Sequence, residues 1–272
     1  MYQIDPLSPT QAGLPTMYDL PSEDPNELGL PDEFHAFQPQ FLRETFQSSA
    51  YAPDETFIGT DINLYYDVRH TQWHKRPDWF AVLGVPRAAQ QTDLRWSYVV
   101  WQEGVNPFIV VELLSPGTES EDLGQTLREI NQPPTKWEVY ERILRIPYYV
   151  IFDRYTHRLR AFQLVATRYT ELELPDQKLW LEDAQLGLGV WEGVYADAQG
   201  SWLRCYDATG NWIPTLAEAA NQERQKADQA QQRVDQAQQK AEQAQQKAEQ
   251  AQQRAERLAA QLRALGVEPD SL

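Results

Sequence analysis

Three charged residues stand out by type and by the company they keep. Asp78 follows a proline at the head of the apolar run DWFAVLGV, Glu112 interrupts the longer run PFIVVELLS, and Lys136 opens TKWEVYERILR with Tyr140 four residues on. Two carboxylates on neighbouring strands can hold a hard divalent cation such as Mg2+ or Mn2+, with water and phosphate oxygens completing its shell. Water bound to such an ion is more acidic, and the same ion neutralises charge growing on a phosphate under attack. A lysine beside that water could orient it, accept its proton if its own pKa were depressed, or stabilise the pentacovalent state. The chemistry is metal-assisted hydrolysis of a phosphodiester.

Each residue also has an ordinary explanation. PFIVVELLS is apolar on both faces, as in a buried central strand, where a carboxylate is costly without a partner. A buried arginine could supply that partner, or the register could leave Glu112 at a strand edge. Pro-Asp often begins turns, which would account for Asp78. Lys136 falls in the first turn of a helix, where the dipole favours anions, so a solvated lysine is the default. Tyr140 shares its side of that helix. A third acid, Asp153, closes the apolar run PYYVIFD, and Asp122 lies in an acid-rich loop as either a third site acid or a loop charge. The basic cluster ending in His74, Lys75 and Arg76 directly precedes Asp78; it could contact a phosphate strand or form a solvated turn. Other chemistries lack their residues: there is no G-x-S-x-G, no G-x-x-x-x-G-K-[ST], and His70 and His74 do not form H-E-x-x-H.

The elements that must position these residues follow from periodicity. PDEFHAFQPQFLRETF predicts an amphipathic helix with Phe34, Phe37, Phe41 and Leu42 on one side and a kink or break at Pro39. Strand-like alternation follows in TFIGTDINLYYD, then a polar turn, VRHTQWHKR. DWFAVLGV is a strand ended by Gly84 and Pro86, and SYVVWQEGVNPFIVVELLS predicts two strands joined in a hairpin-like connection at Glu103–Pro107. After a loop rich in Pro, Gly and acids, Trp137, Tyr140, Ile143 and Leu144 fall at helical spacing, and the helix stops before Pro147. PYYVIFD reads as a buried strand, and further short strands are expected between Arg158 and Trp212.

Nine Trp, thirteen Tyr and nine Phe in 272 residues can furnish one substantial core. The start, MYQIDPLSPTQ, has no basic residue followed by an apolar run, and no stretch approaches the roughly 18 apolar residues that span a bilayer. One cysteine, Cys205, forms no internal disulfide and no zinc cluster. A soluble cytoplasmic protein with no membrane partner is the expectation. The net charge of −16 sits almost wholly before residue 216, where 16 basic residues face 31 acidic ones. Such a body should not bind a polyanion indiscriminately, so contact with DNA would have to be local and metal-assisted.

The end of the chain changes character. From Lys226 it repeats every seven residues, and positions 227, 230, 234, 237, 241, 244, 248, 251, 255, 258, 262 and 265 are Ala, Val or Leu throughout. That spacing is the signature of a supercoiled helix and predicts a homo-oligomer through the C-terminal helix. The alternative is a lone helix, which Ala, Gln, Glu, Lys and Arg all favour. The seam is mostly alanine and buries little per layer, so association should be weak or need close approach. Fifty residues of helix would extend ~75 Å.

Taken in order, PD at 77–78, E-L-L-S-P at 112–116, Asp122, K-x-x-x-Y at 136–140 and IPYYVIFD resemble the Uma-two family of the PD-(D/E)XK nuclease superfamily over roughly residues 30–195. The resemblance implies an α/β (mixed α+β), restriction-endonuclease-like core: a central mixed four-stranded sheet flanked by helices, with the site at one sheet edge. It implies Asp78 and Glu112 as ligands of Mg2+ (or Mn2+), DNA as substrate, and Lys136 in the role of the lysine expected two places after the glutamate, where Leu114 stands. Tyr140 and Asp122 would be accessory. The expected organisation is an extended acidic arm over 1–30, an endonuclease-like domain over 31–215, a heptad-repeat coiled-coil helix over 216–266 and a tail over 267–272. The rival expectation is a catalytically inactive nuclease-fold scaffold that acts through the coiled-coil tail.

Overall fold

Apolar runs bounded by turn formers give this chain its main sheet, and among the described residues three sheets form. The computed structural model describes residues 13–16, 19, 33–88, 94–114, 122–125 and 132–264. Most of the expected arm over 1–30, residues 115–121 and 126–131 of the expected acid-rich loop, Leu265, Gly266 and the expected tail over 267–272 lie outside the described residues. The chain forms two compact units, Met1–Thr215 and Leu216–Leu272.

In the first unit, helix α1 (Glu33–Thr45) is followed by β1 (Thr56–Gly59), β2 (Leu64–Tyr65), β3 (His74–Lys75), β4 (Trp79–Leu83), β5 (Tyr98–Val99) and the short helix α2 (Val100–Glu103). Then come β6 (Ile109–Leu113), helix α3 (Lys136–Glu138) continuing into a π turn (Val139–Ile143), β7 (Tyr148–Asp153), β8 (Arg158–Val165), β9 (Arg168–Glu171), β10 (Lys178–Leu181), β11 (Leu186–Tyr195) and β12 (Ala198–Tyr206). The main sheet has the order β1-β4-β6-β7-β8-β9, with β6 and β7 parallel and all other pairs antiparallel. β10-β11-β12 form a second sheet and β3-β2-β5 a third.

Strand alternation divides the main sheet's side chains between two apolar layers. Trp79, Val111, Leu113, Val150 and Phe152 point to one side, where they pack with Phe41 and Leu42 of α1 and with Leu188 and Leu203 of the second sheet. Phe80, Val110, Tyr149, Ile151 and Phe162 point to the other, against Val139, Tyr140 and Leu144 of α3. Glu112, two residues after Val110, therefore shares the α3 side. The fold is mixed α+β with a mixed central sheet, as expected, but the sheet has six strands rather than four. β4 and β6, which carry the marked acids, are inner strands and not an edge.

Four local expectations are corrected. α1 does not break at Pro39, although the proline cannot donate to the carbonyl four residues back. SYVVWQEGVNPFIVVELLS is not a hairpin: β5 pairs in parallel with β2 in the small sheet, then α2 turns the chain away. Gly104, at φ 76°, closes α2 in the left-handed conformation, where a side chain would be strained. The third correction concerns TFIGTDINLYYD, which divides between β1 and β2 in different sheets. Ile143, expected in the core from 3.6-residue spacing, is 43% exposed because the π turn shifts the residues that follow Tyr140.

The second unit is helix α4 (Leu216–Ala264), which buries none of its own side chains. Among the described residues no helix is long and apolar enough to cross a membrane.

Candidate active site

The antiparallel register sets Trp79 opposite Val111, so the residue before β4, Asp78, lies beside Glu112. Asp78 Oδ2 accepts a hydrogen bond from the backbone N–H of Leu113 at 2.6 Å, which fixes the carboxylate against the end of β6. Glu112 is fully buried. Its Oε1 accepts from the Tyr140 hydroxyl at 2.9 Å and its Oε2 from Lys136 Nζ at 3.0 Å. The same ammonium lies 2.9 Å from Asp122 Oδ1. Asp78, Glu112, Asp122, Lys136 and Tyr140 thus converge, although 62 residues of sequence separate the first from the last.

Local chemistry explains how α3 delivers its two residues. Thr135 caps the helix: its hydroxyl accepts from the Glu138 N–H at 3.1 Å, and the Glu138 carboxylate accepts from the Thr135 N–H at 3.2 Å. That anion at the first turn offsets the unfavourable placement of the Lys136 cation there. Four residues on, Tyr140 enters the π turn, whose Leu144 N–H bonds the Val139 carbonyl at 2.8 Å. The Asp122 segment is held from two sides. The Tyr149 hydroxyl donates to the Asp122 carbonyl at 2.9 Å. Gly124, at φ +67°, lies so close to α3 that an added Cβ would sit 2.7 Å from Trp137 Cγ.

Three carboxylates around one ammonium make an unusual electrostatic setting. Burial pushes the Glu112 carboxyl up to about 8, with Asp78 and Asp122 adding to the rise and Lys136 opposing it. Burial likewise raises Asp78, against the pull of Lys136 and the Leu113 N–H. Burial alone would lower Lys136, but Glu112, Asp122 and Asp78 together hold it above its ordinary value. The three acids thus favour its ammonium form over the free base that would accept a proton from water. Tyr140 is pushed well up by burial and by Glu112, so its hydroxyl remains a donor.

One residue of this neighbourhood carried no signal in the sequence. His35 of α1 is buried, and its Nε2 lies 3.1 Å from the Leu113 carbonyl. Leu113 is thus gripped at its N–H by Asp78 and at its C=O by His35. Nothing distinguishes a single histidine between Phe34 and Phe41 from a satisfied core residue. The basic cluster is placed differently from a turn: His74 and Lys75 form β3, and Arg76 is bound to Asp61, Nε to Oδ1 at 2.9 Å and Nη2 to Oδ2 at 3.2 Å. Asp153 caps its own turn, accepting from the Thr156 hydroxyl at 2.6 Å and from the Tyr155 N–H at 2.9 Å.

Residues 28–194 match the model of the family Uma2, described as "Putative restriction endonuclease". The chain belongs to the Uma2 family. No curated protein matches it. Asp78, Glu112, Asp122, Lys136 and Tyr140 all fall inside the Uma2 match, and α4 lies outside it.

Among the described residues no three His, Cys, Asp or Glu side chains are grouped closely enough to hold a metal by themselves. Mg2+ does not need three: it is commonly held by one or two carboxylates with waters and substrate phosphates. Hard carboxylate oxygens are the donors it takes, and a bound cation would offset the burial and the neighbouring acids that push the Glu112 carboxyl up beside Asp78. The donor chemistry fits.

Proposed function

We propose that this Uma2 protein is a divalent-metal-dependent endonuclease that hydrolyses phosphodiester bonds in DNA. The observation that carries the reading is the half-buried Lys136 ammonium held at 3.0 Å from the fully buried Glu112 and 2.9 Å from Asp122, with Asp78 beside them. Asp78 and Glu112 would hold Mg2+ or Mn2+; such an ion, when bound, acidifies water and neutralises phosphate charge. Lys136, as an ammonium, donates hydrogen bonds that orient the attacking water and stabilise negative charge on phosphorus oxygens. Tyr140 keeps Glu112 Oε1 oriented, and Asp122 sets where the ammonium points. His74, Lys75 and Arg76 serve as phosphate contacts only in part, since Arg76 is already committed to Asp61.

A second reading has an observation of its own. Both Glu112 oxygens are occupied by protein donors, as in a structural ion-pair core, and the body is strongly acidic. A catalytically inactive scaffold that works through self-association of α4 would look like this. Nicking of supercoiled plasmid with Mg2+ or Mn2+ by the wild type, Glu112→Gln and Lys136→Ala separates the two. The nuclease reading expects nicking by the wild type and loss in both variants; equal residual nicking in all three reports a contaminant and ends it.

A further inference from the structure

Helix α4 shows how its charges are used, and some are left over. Gln231, Gln238, Gln245 and Gln252 each donate through Nε2 to the acid four residues on, Asp235, Glu242, Glu249 and Glu256, at 2.8 to 3.2 Å. The cations fare otherwise. Residues three and four away from Arg233, Lys240 and Lys247 are only Gln or Ala, so no intrahelical acid is within reach, and among the described residues these three form no ion pair. The cations and glutamines lie on opposite flanks of the Ala/Val/Leu seam, at the g and e positions of the heptad, and the paired acids lie just outside the glutamines.

We propose that α4 pairs with α4 of a second copy of this chain, parallel and in register, and that this charge layout selects the orientation. In a parallel pair each g residue faces the e residue five positions on in the other helix. Arg233 meets Gln238 of the second copy, Lys240 meets Gln245 and Lys247 meets Gln252. Each of those glutamines has its N–H spent on an acid, so its carbonyl oxygen is free to accept from the incoming cation, and the acid behind adds attraction. In an antiparallel pair g faces g, setting basic residue against basic residue along the whole seam. The exposed Val234 and Leu258 and the intervening alanines would be covered by the second copy, and alanine permits the close approach that brings these flanks together. A parallel pair brings both Leu216 ends to one end of the rod.

The test uses the full chain with Ala230→Cys or Ala251→Cys, both on the seam, in a glutathione redox buffer. The native Cys205 is buried and does not report. A parallel, in-register pair gives disulfide-linked dimers from each variant by itself. Linkage only when the two variants are mixed shows an antiparallel pair and overturns the proposal, and so does the absence of linkage under all conditions. As a second readout, reversing Arg233, Lys240 and Lys247 to Glu should weaken self-association in sedimentation equilibrium about tenfold. Mixing that variant with one carrying Glu242→Lys, Glu249→Lys and Glu256→Lys, the acids behind the facing glutamines, should restore it. Unchanged affinity in the first variant refutes the charge argument. These measurements do not involve cleavage, so they succeed or fail independently of the nuclease reading.

Discussion

Replacing Lys136 with Met removes the one cation shared by Glu112 and Asp122 while keeping most of the side chain's volume. Lys136 is 23% exposed, against 0% for Glu112 and 2% for Asp122, so solvent does little to rescue the acids left behind. Breaking a buried pair from one side costs ~3–5 kcal/mol when the remaining charge stays ionised. Here it need not, because the Glu112 carboxyl already stands at about 8 and would rise further without the ammonium. Below that value Glu112 is neutral in the folded variant, and the cost falls to that of a lost hydrogen bond, ~1 kcal/mol. The ammonium's own contribution is fully present below its ordinary 10.5 and does not vary between pH 5.5 and 8.5. The difference between wild type and Lys136→Met should therefore widen as pH rises across that range. Urea unfolding of the body at both ends of it, with Glu112→Gln and the double variant completing the cycle, measures this. A loss below ~1 kcal/mol at both pH values, or additive effects in the cycle, would refute the claim that these two side chains share a buried charge.

Three further outcomes follow from the same geometry. A carboxyl raised from 4.5 to about 8 binds its proton more tightly when folded, so its contribution to stability is lost as pH rises between those values; metal-free wild type should weaken on the order of a few kcal/mol across that window, and Glu112→Gln should flatten the profile. Gly124→Ala would press a methyl into Trp137 at a left-handed φ, costing ~1–3 kcal/mol and lengthening the Asp122–Lys136 contact, readable as a Tm loss and, since Asp122 adds to the rise of the Glu112 carboxyl, as a fall of the Glu112 pKa. His35→Ala leaves the Leu113 carbonyl unpaired and should cost ~1–3 kcal/mol with faster exchange of the Leu113 amide, which His35→Gln should partly restore; equal exchange in all three contradicts the clamp.

How much of this was legible in the sequence depended on whether a side chain or a backbone group carried the information. Asp78 after a proline and Glu112 inside a two-faced apolar run advertise themselves because each violates its surroundings, and K-x-x-x-Y puts Lys136 and Tyr140 on one side by helix geometry alone. The partner of Glu112 was open: a buried arginine or a strand-edge register was the ordinary account, and only the fold shows that the lysine reaches back across 24 residues. The Leu113 clamp was invisible, since its donor and acceptor are peptide groups and His35 sits 78 residues upstream. Periodicity also cannot reveal a strand that leaves for another sheet. Tyr98–Val99 and Ile109–Leu113 read as one hairpin because both are apolar, while Gly104 and the buried Arg95–Glu103 pair, at 2.8 Å, turn the chain away. The Ile143 error has the same origin, because a π turn has no compositional signature.

The central claim is that the Asp78–Glu112–Lys136 cluster cleaves DNA with the help of a divalent ion. Wild type and Asp78→Asn, both stripped with chelator and shown to be equally folded, can be given supercoiled plasmid with and without restored Mg2+ or Mn2+. The account predicts that nicking returns with the ion in the wild type alone. Nicking that ignores the chelator, equal nicking by Asp78→Asn, or none from the wild type with either ion would contradict it.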